Sequence, residues 1–173
     1  EARALLSKQR DAKVLDVPLG PEIGQCCGGR VKVTIKPVDE TTRTELVQAE
    51  LAEHQAYPDV YMFGAGHVGR ALCEAFALLP VNPIVVDSRA EELALIGGTT
   101  DKFLTPVPED VARKAAPGSV FIILTHDHSL DFLIACEALV REDAAYVGMI
   151  GSHTKWATFE SWCRKSAEVR VDP

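Results

Sequence analysis

The sequence predicts an α/β protein with a parallel sheet of strand order 3-2-1-4-5, preceded by a β-hairpin that carries two cysteines. From Val60 onward, short apolar runs alternate with helical patterns, which is typical of parallel strands joined by crossover helices. Before that point, two segments alternate apolar and polar residues on either side of a Gly/Cys turn, which indicates a hairpin. We therefore expect an N-terminal region over residues 1–58 and an α/β domain over residues 59–173.

The elements of the N-terminal region follow from short patterns. Residues 2–9 have a helical pattern. The alternations at residues 14–19 and 30–36 predict the two hairpin strands. Residues 44–54 then predict a linker helix, which ends before Pro58.

The α/β domain has five apolar runs that predict parallel strands: residues 60–63, 84–87, 102–104, 120–124 and 145–150. Between the first two runs, apolar residues recur with helical spacing from Val68 to Leu79, and Pro80 ends the pattern. The predicted helix at residues 130–140 is apolar on nearly all sides. Such a helix is expected to be deeply buried or to contact a second subunit.

Composition excludes several classes of protein. The chain has 173 residues and a net charge of −7, with no block of Lys and Arg that could neutralise nucleic-acid phosphates. No apolar run approaches the roughly 20 residues that span a bilayer. The 5 cysteines fit neither a disulfide framework nor a zinc pair, which favours a reducing, cytoplasmic compartment. Because the sequence begins at Glu1 without Met, we expect it to be a piece of a longer protein.

A complete G-x-G-x-x-G motif, formed by Gly64, Gly66 and Gly69, follows the first predicted strand of the sheet and leads into a helix. The first glycine permits a tight turn, the second lets the backbone approach a phosphate, and the third allows close helix packing. Asp87 ends the next strand, where such folds hold the carboxylate that binds ribose hydroxyls. If the ligand is a dinucleotide, Asp87 predicts a preference for NAD over NADP, which the nearby Arg89 weakens. The pattern predicts a Rossmann-like domain with a phosphate-binding loop; the alternative is an ordinary glycine-rich turn.

Two further polar loops are expected at the same edge of the sheet. In an open sheet of this order, a crevice opens between the first and fourth strands. The fourth strand leads into residues 125–129, and the fifth into a second glycine turn at residues 148–152. The candidate ligand-binding residues in these loops and in the glycine motif are His67, His126, Asp127, Gly148, Gly151 and Ser152.

The histidines of these loops have several interpretations. His126 and His128 would lie on one face of an extended chain, which suits a metal ion, although no third ligand stands at a convincing spacing. Local hydrogen bonding, helix capping and ligand contact are the other interpretations. His67 could contact a phosphate or face solvent. Ser152 or Thr154 could cap the following helix.

Cys26 and Cys27 lie side by side in the Gly-rich turn of the hairpin. Neighbouring side chains diverge, so the pair is poorly placed for a core role, and an exposed thiolate is a soft metal ligand and nucleophile. The alternative is two small hydrophobic residues in a tight turn. The other cysteines lie in predicted helices and are expected to be packing residues: Cys73, Cys136 and Cys163.

Together these motifs resemble the XdhC branch of the XdhC/CoxI family. The segments that carry the resemblance are residues 19–31, 63–69, 86–89, 125–131 and 146–155. It implies a xanthine dehydrogenase accessory protein, a homodimer that binds and protects the molybdenum cofactor (molybdopterin) rather than catalysing a reaction. It also implies that a cysteine desulfurase supplies a sulfido ligand to the cofactor, and that the cofactor passes to the molybdenum subunit of the dehydrogenase. Family signatures at the N-terminal and C-terminal ends are absent from these residues.

The resemblance and the residues lead to one main hypothesis and two alternatives. The main hypothesis is a carrier in which Gly64, Gly66 and Gly69 hold the cofactor phosphate, the two other loops frame the pterin, and Cys26 or Cys27 contacts molybdenum. One alternative is an NAD-dependent oxidoreductase, which the same glycines and Asp87 support. The other is a nucleotide-sensing or dimerisation module without chemistry of its own.

Overall fold

The computed structural model describes residues 3–4, 12–24, 26, 28–98 and 100–166. The chain divides into two compact units, Glu1–Ala52 and Glu53–Pro173. Most of the helical pattern predicted at residues 2–9 lies outside the described residues.

The N-terminal unit contains the predicted hairpin. Strands β1 (Lys13–Pro18) and β2 (Arg30–Ile35) pair in antiparallel orientation. Helix α1 (Glu40–Gln55) follows and begins earlier than predicted. The reason is Asp39, whose carboxylate accepts the backbone N–H of Thr42 at 2.7 Å and so caps the helix.

The second unit is built on a five-stranded parallel sheet, as predicted. Its strands are β3 (Asp59–Phe63), β4 (Asn82–Asp87), β5 (Asp101–Leu104), β6 (Val120–Ile123) and β7 (Tyr146–Met149). Their order is β5-β4-β3-β6-β7, which is 3-2-1-4-5 when counted from β3. The α/β fold class is therefore confirmed, and the strand ends differ from the predicted ones by at most two residues.

A helix follows each strand of the sheet and begins near its carboxyl edge. These helices are α2 (His67–Phe76), α3 (Ala90–Ala94), α4 (Pro108–Lys114), α5 (His128–Val140) and α6 (His153–Ser166). The sequence predicted that α2 would continue to Leu79, but the α-helix ends at Phe76. The N–H groups of Leu78 and Leu79 bond to carbonyls three residues back, which tightens the chain into turns before Pro80.

Alternate side chains of β3, β4 and β6 enter two hydrophobic clusters on opposite faces of the sheet. Tyr61 and Phe63 of β3 join the cluster that contains Phe132 of α5. Val60 and Met62 join the other cluster, which contains Cys73 of α2. This two-residue period follows from strand geometry and explains why the runs of β3 and β4 are almost continuously apolar.

Helix α5 is buried largely by the core of its own chain. Phe132, Ile134 and Ala138 are at most 7% exposed and lie in the cluster that also contains residues of the sheet. The next residue after the helix is Arg141, whose guanidinium donates to the carbonyls of Ala112, Arg113 and Ala115 at the end of α4. Burial within the chain thus accounts for the apolar composition of α5. Among the described residues, no helix is long and apolar enough to cross a membrane.

The cysteines on helices are buried, as predicted for packing residues. The Sγ atoms of Cys136 on α5 and Cys163 on α6 are 3.3 Å apart. Burial raises the pKa of the Cys136 thiol to about 12 and also raises that of Cys163. Both therefore remain protonated thiols at neutral pH.

Candidate functional site

The glycine loop between β3 and α2 contains three glycines. Two of them have no room for a Cβ atom, and the third lies in open space. Gly64 has a φ of 125°, and a Cβ built there would lie 2.5 Å from the carbonyl oxygen of Leu124. A Cβ at Gly69 would lie 2.0 Å from the carbonyl oxygen of Gly64. A Cβ at Gly66 would meet nothing within 4 Å, and its φ is an ordinary −68°. Gly66 therefore leaves an open approach to the backbone at the start of α2.

The three helices that begin after β3, β6 and β7 differ in their N-terminal caps. The carboxylate of Asp127 caps α5 by accepting the N–H groups of Ser129 and Leu130. The hydroxyl of Ser152 accepts the N–H of Lys155 at 3.2 Å and caps α6. The residue before α2 is Gly66, which has no side chain to cap the helix. The first N–H groups of a helix have no partners within it, so those of α2 are available to an anion.

Asp87 lies at the end of β4, beside the glycine loop, and its carboxylate accepts four hydrogen bonds. The backbone N–H of Ala65 donates to Oδ2 at 2.7 Å, and the backbone N–H of Arg89 donates to Oδ1 at 2.9 Å. The Arg89 guanidinium adds Nε to Oδ1 at 3.0 Å and Nη2 to Oδ2 at 2.8 Å. Burial raises the pKa of Asp87, but the hydrogen bonds from Arg89 and Ala65 outweigh burial, and the net pKa is lowered.

A second ion pair holds the same segment of the loop. Arg70 of α2 donates through Nη1 to the carbonyl of Ala65 at 3.2 Å and to Glu92 of α3 at 2.7 Å. The Nη1 atom of Arg89 lies 3.9 Å from the other carboxylate oxygen of Glu92. Both polar groups of Ala65 are therefore bonded to charged side chains, the N–H to Asp87 and the C=O to Arg70.

The loop after β6 is held by hydrogen bonds between its own residues and the start of α5. His126, Asp127 and His128 are all exposed, and hydrogen bonds from Ser129 and Leu130 lower the pKa of Asp127. Helix capping thus accounts for Asp127. The described residues contain no group of three or more His, Cys, Asp or Glu side chains able to hold a metal ion. His67 is also exposed, at the first position of α2.

A buried ion pair, which the sequence patterns did not single out, joins the loops after β6 and β7. Asp131 of α5 is fully buried and accepts the backbone N–H of Thr125 at 3.0 Å and its hydroxyl at 2.6 Å. Lys155 of α6, whose side chain is 8% exposed, donates to Asp131 and to the carbonyl of Ile150. The available signal was an acidic residue near the start of an otherwise apolar helix. The pair fixes both loops at the carboxyl edge.

The second glycine turn is shorter than the sequence predicted. Gly148 lies within β7, paired with Ile122, where a Cβ would contact the ring of Tyr146. It is part of the sheet rather than of the loop, because the strand continues to Met149. A Cβ at Gly151 would lie 2.5 Å from the Cδ of Lys155. Gly151 therefore makes room for the lysine that the buried ion pair requires.

Cys26 is exposed in the loop of the N-terminal hairpin, whereas Cys27 lies outside the described residues. The loop is closed by two backbone hydrogen bonds, from Leu19 to Gly29 at 2.9 Å and from Gly28 to Leu19 at 2.8 Å. Gly28 and Gly29 have positive φ values of 66° and 88°, which favour glycine. Cys26 is thus exposed in a loop whose base is fixed by these bonds.

A family model described as the XdhC Rossmann domain matches residues 60–172, which is more than half of the chain. The chain belongs to the XdhC family. This match covers β3 through α6 and so contains the glycine loop and all the loops of the carboxyl edge. Family membership supports a general role in the maturation of xanthine dehydrogenase.

Comparison with solved structures agrees on the fold. The chain is similar to a protein from Bacillus halodurans described as a xanthine dehydrogenase, with 16% identity and a TM-score of 0.76, over 92% of this chain and 67% of that one. Two structures of RSP, a Rex-family repressor, one in complex with β-NADH, match at 14% and 13% identity. Their TM-scores of 0.37 and 0.38 do not indicate a shared fold, although each match covers 96% of this chain and 88% of that one. No curated protein sequence matches the chain significantly.

Proposed function

We propose that this chain is a carrier of the molybdenum cofactor and that the glycine loop binds the cofactor's phosphate. The observation that carries the proposal is the uncapped N-terminus of α2 at Gly66, beside two helices whose N-termini have side-chain caps. A phosphate placed there accepts backbone N–H groups and interacts favourably with the positive end of the helix dipole. Family membership supports the identity of the ligand.

The other loops of the carboxyl edge would frame the pterin. Strands β3 and β6 are neighbours at the point where the strand order reverses, which is where open α/β sheets bind their ligands. The Asp131–Lys155 pair holds the loops after β6 and β7 in one arrangement. Ligand contacts are proposed for His67, His126, Asp127, Gly151 and Ser152, and for Gly148 through the backbone of β7.

The proposed partners follow from the family resemblance. When bound, the molybdenum cofactor supplies the molybdenum centre that xanthine dehydrogenase requires. The molybdenum subunit of that enzyme would receive it, and a cysteine desulfurase would provide the sulfur. Cys26 and Cys27 are the proposed contacts to molybdenum or to transient sulfur, and the exposure of Cys26 supports that role. A homodimer is proposed from the family resemblance alone.

The proposal is tested by two substitutions of similar size at one position. Asp and Asn are both good residues before a helix, so Gly66→Asp and Gly66→Asn should both leave the fold intact. The Asp carboxylate would occupy the helix N-terminus and repel a phosphate, whereas Asn carries no charge. We expect the original protein to bind molybdenum cofactor in an anaerobic titration. The amount of cofactor bound by Gly66→Asp should be at least tenfold lower than the amount bound by Gly66→Asn.

Molybdenum retained after gel filtration, measured by mass spectrometry, is the readout. Thermal unfolding of each variant confirms that the protein remains folded. Equal molybdenum retention by the original protein and Gly66→Asp would contradict the proposal. Saturable NADH binding without any molybdenum retention would instead favour the oxidoreductase alternative.

A further inference from the structure

The carboxylate of Asp87 has no acceptor position left for a ribose. A carboxylate offers about four lone-pair sites, two on each oxygen. Ala65 and Arg89 together donate four hydrogen bonds to Asp87, two to each oxygen, at 2.7 to 3.0 Å. In dinucleotide sites of this type, the acidic residue at this position accepts the ribose hydroxyls. Here the guanidinium of Arg89 occupies the sites that those hydroxyls would need.

The arrangement of Arg89 is held by more than one contact. Its fork bonds both oxygens of Asp87, whose side chain is only 4% exposed, and its remaining Nη1 faces Glu92. Glu92 is in turn bonded to Arg70, which donates to the carbonyl of Ala65. These contacts form a closed ring from the N–H of Ala65 through four charged side chains to its C=O. A ribose hydroxyl would have to displace charge-assisted bonds that this ring orients.

We propose that Asp87 and Arg89 form a clasp that determines the specificity of the glycine loop: it admits a phosphate group and rejects a ligand that must also place a ribose diol on Asp87. This inference rests on the proposed function, in which the loop binds the phosphate of a pterin. Arg89 is the specificity-determining residue, because it alone supplies the two side-chain bonds that block the diol. Asp87 acts by fixing the Ala65 N–H rather than by touching the ligand.

Removal of the Arg89 side chain gives the sharpest test. Arg89→Ala frees one acceptor site on each oxygen of Asp87 and leaves both backbone donors in place. The two freed sites match the two hydroxyls of a ribose. With NADH as the probe and its fluorescence as the readout, we expect the affinity for NADH to increase at least tenfold over that of the original protein. The double variant Asp87→Ala/Arg89→Ala should lose this increase, because it lacks the carboxylate.

A matched control exists on the opposite face of the sheet from the glycine-loop helix α2. Arg113 of α4 forms the same type of fork with Glu137 of α5, through Nε at 3.0 Å and Nη2 at 2.7 Å. Arg113→Ala removes an equivalent pair without touching the glycine loop, so its NADH affinity should equal that of the original protein. Thermal unfolding of all variants shows whether each one folds, and the NADH comparison is made among the folded ones.

The outcomes separate this inference from the proposed function. NADH binding by the original protein as tight as that of Arg89→Ala would overturn the clasp, as would an affinity gain that survives in the double variant. Molybdenum retention by the original protein is measured without NADH and tests only the proposed function. If molybdenum retention failed while the expected NADH pattern held, the proposed function would be overturned, and only the exclusion of a ribose diol by Arg89 would be supported.

Discussion

The same Gly→Ala substitution should have very different consequences at Gly66 and Gly69. At Gly69 the new methyl group would lie 2.0 Å from the carbonyl oxygen of Gly64. That oxygen belongs to a backbone segment anchored by the Gly64 N–H, which bonds to the carbonyl of Val86 at 2.9 Å. At Gly66 the methyl group would enter open space at a φ of −68°.

The expected magnitudes follow from these surroundings. Overpacking costs about 1–3 kcal/mol and sometimes more, and the clash at Gly69 involves backbone on both sides, so Gly69→Ala should lose about 3 kcal/mol. At Gly66, the loss of a favourable capping residue and the reduced freedom of the unfolded chain have opposite signs. Each is about 1 kcal/mol or less, so Gly66→Ala should change the free energy of unfolding by under about 0.5 kcal/mol.

Urea denaturation followed by circular dichroism measures both values. In thermal scans the difference corresponds to a lowering of Tm on the order of 10 °C for Gly69→Ala and almost none for Gly66→Ala. Equal losses at the two positions would refute the reasoning, since they would mean that the helix does not approach the strand at Gly69. A loss confined to Gly66 would refute it as well.

Three further predictions concern charged groups and thiols. Asp87→Asn should lower the free energy of unfolding at neutral pH. Because the pKa of Asp87 is lowered on folding, the difference in free energy of unfolding between the two proteins should shrink as pH falls below about 4. Urea titrations at a series of pH values measure this difference. A thiol-alkylating reagent should label Cys26 in the native protein, while Cys136 and Cys163 should react only after unfolding, as mapped by mass spectrometry. Arg141→Gln should lower the free energy of unfolding by about 2 kcal/mol in urea titrations, because the carbonyls of the buried residues Ala112 and Ala115 lose their donor.

The parallel sheet and its strand order were predictable because both depend on local signals. Apolar runs of strand length alternate with helical patterns, and the glycine motif fixes which strand lies at the centre. The start of α1 was missed because one capping residue, Asp39, determines it. The extent of the second glycine turn was also wrong, because Gly148 pairs with Ile122 inside β7, and a sequence does not display which strands pair.

Partners of charged side chains could not be predicted in the same way. The sequence correctly located Asp87 at the end of β4, but nothing local indicates that the fork of Arg89 turns back onto it. Asp131 and Lys155 are far apart in the chain and meet only because β6 and β7 are neighbours in the sheet. Long-range pairing of this kind is a property of the assembled carboxyl edge.

The pairing of charges at this edge also explains how an acidic chain could hold an anion. Three acidic side chains of this edge lie in ion pairs with basic ones: Asp87 with Arg89, Glu92 with Arg70 and Arg89, and Asp131 with Lys155. The pairs cancel locally, so the net charge of −7 is not concentrated beside the glycine loop. The remaining positive potential there comes from the backbone N–H groups of α2, which act over one turn of helix. Recognition would therefore depend on the position of a phosphate against Gly66 rather than on the total charge of the ligand.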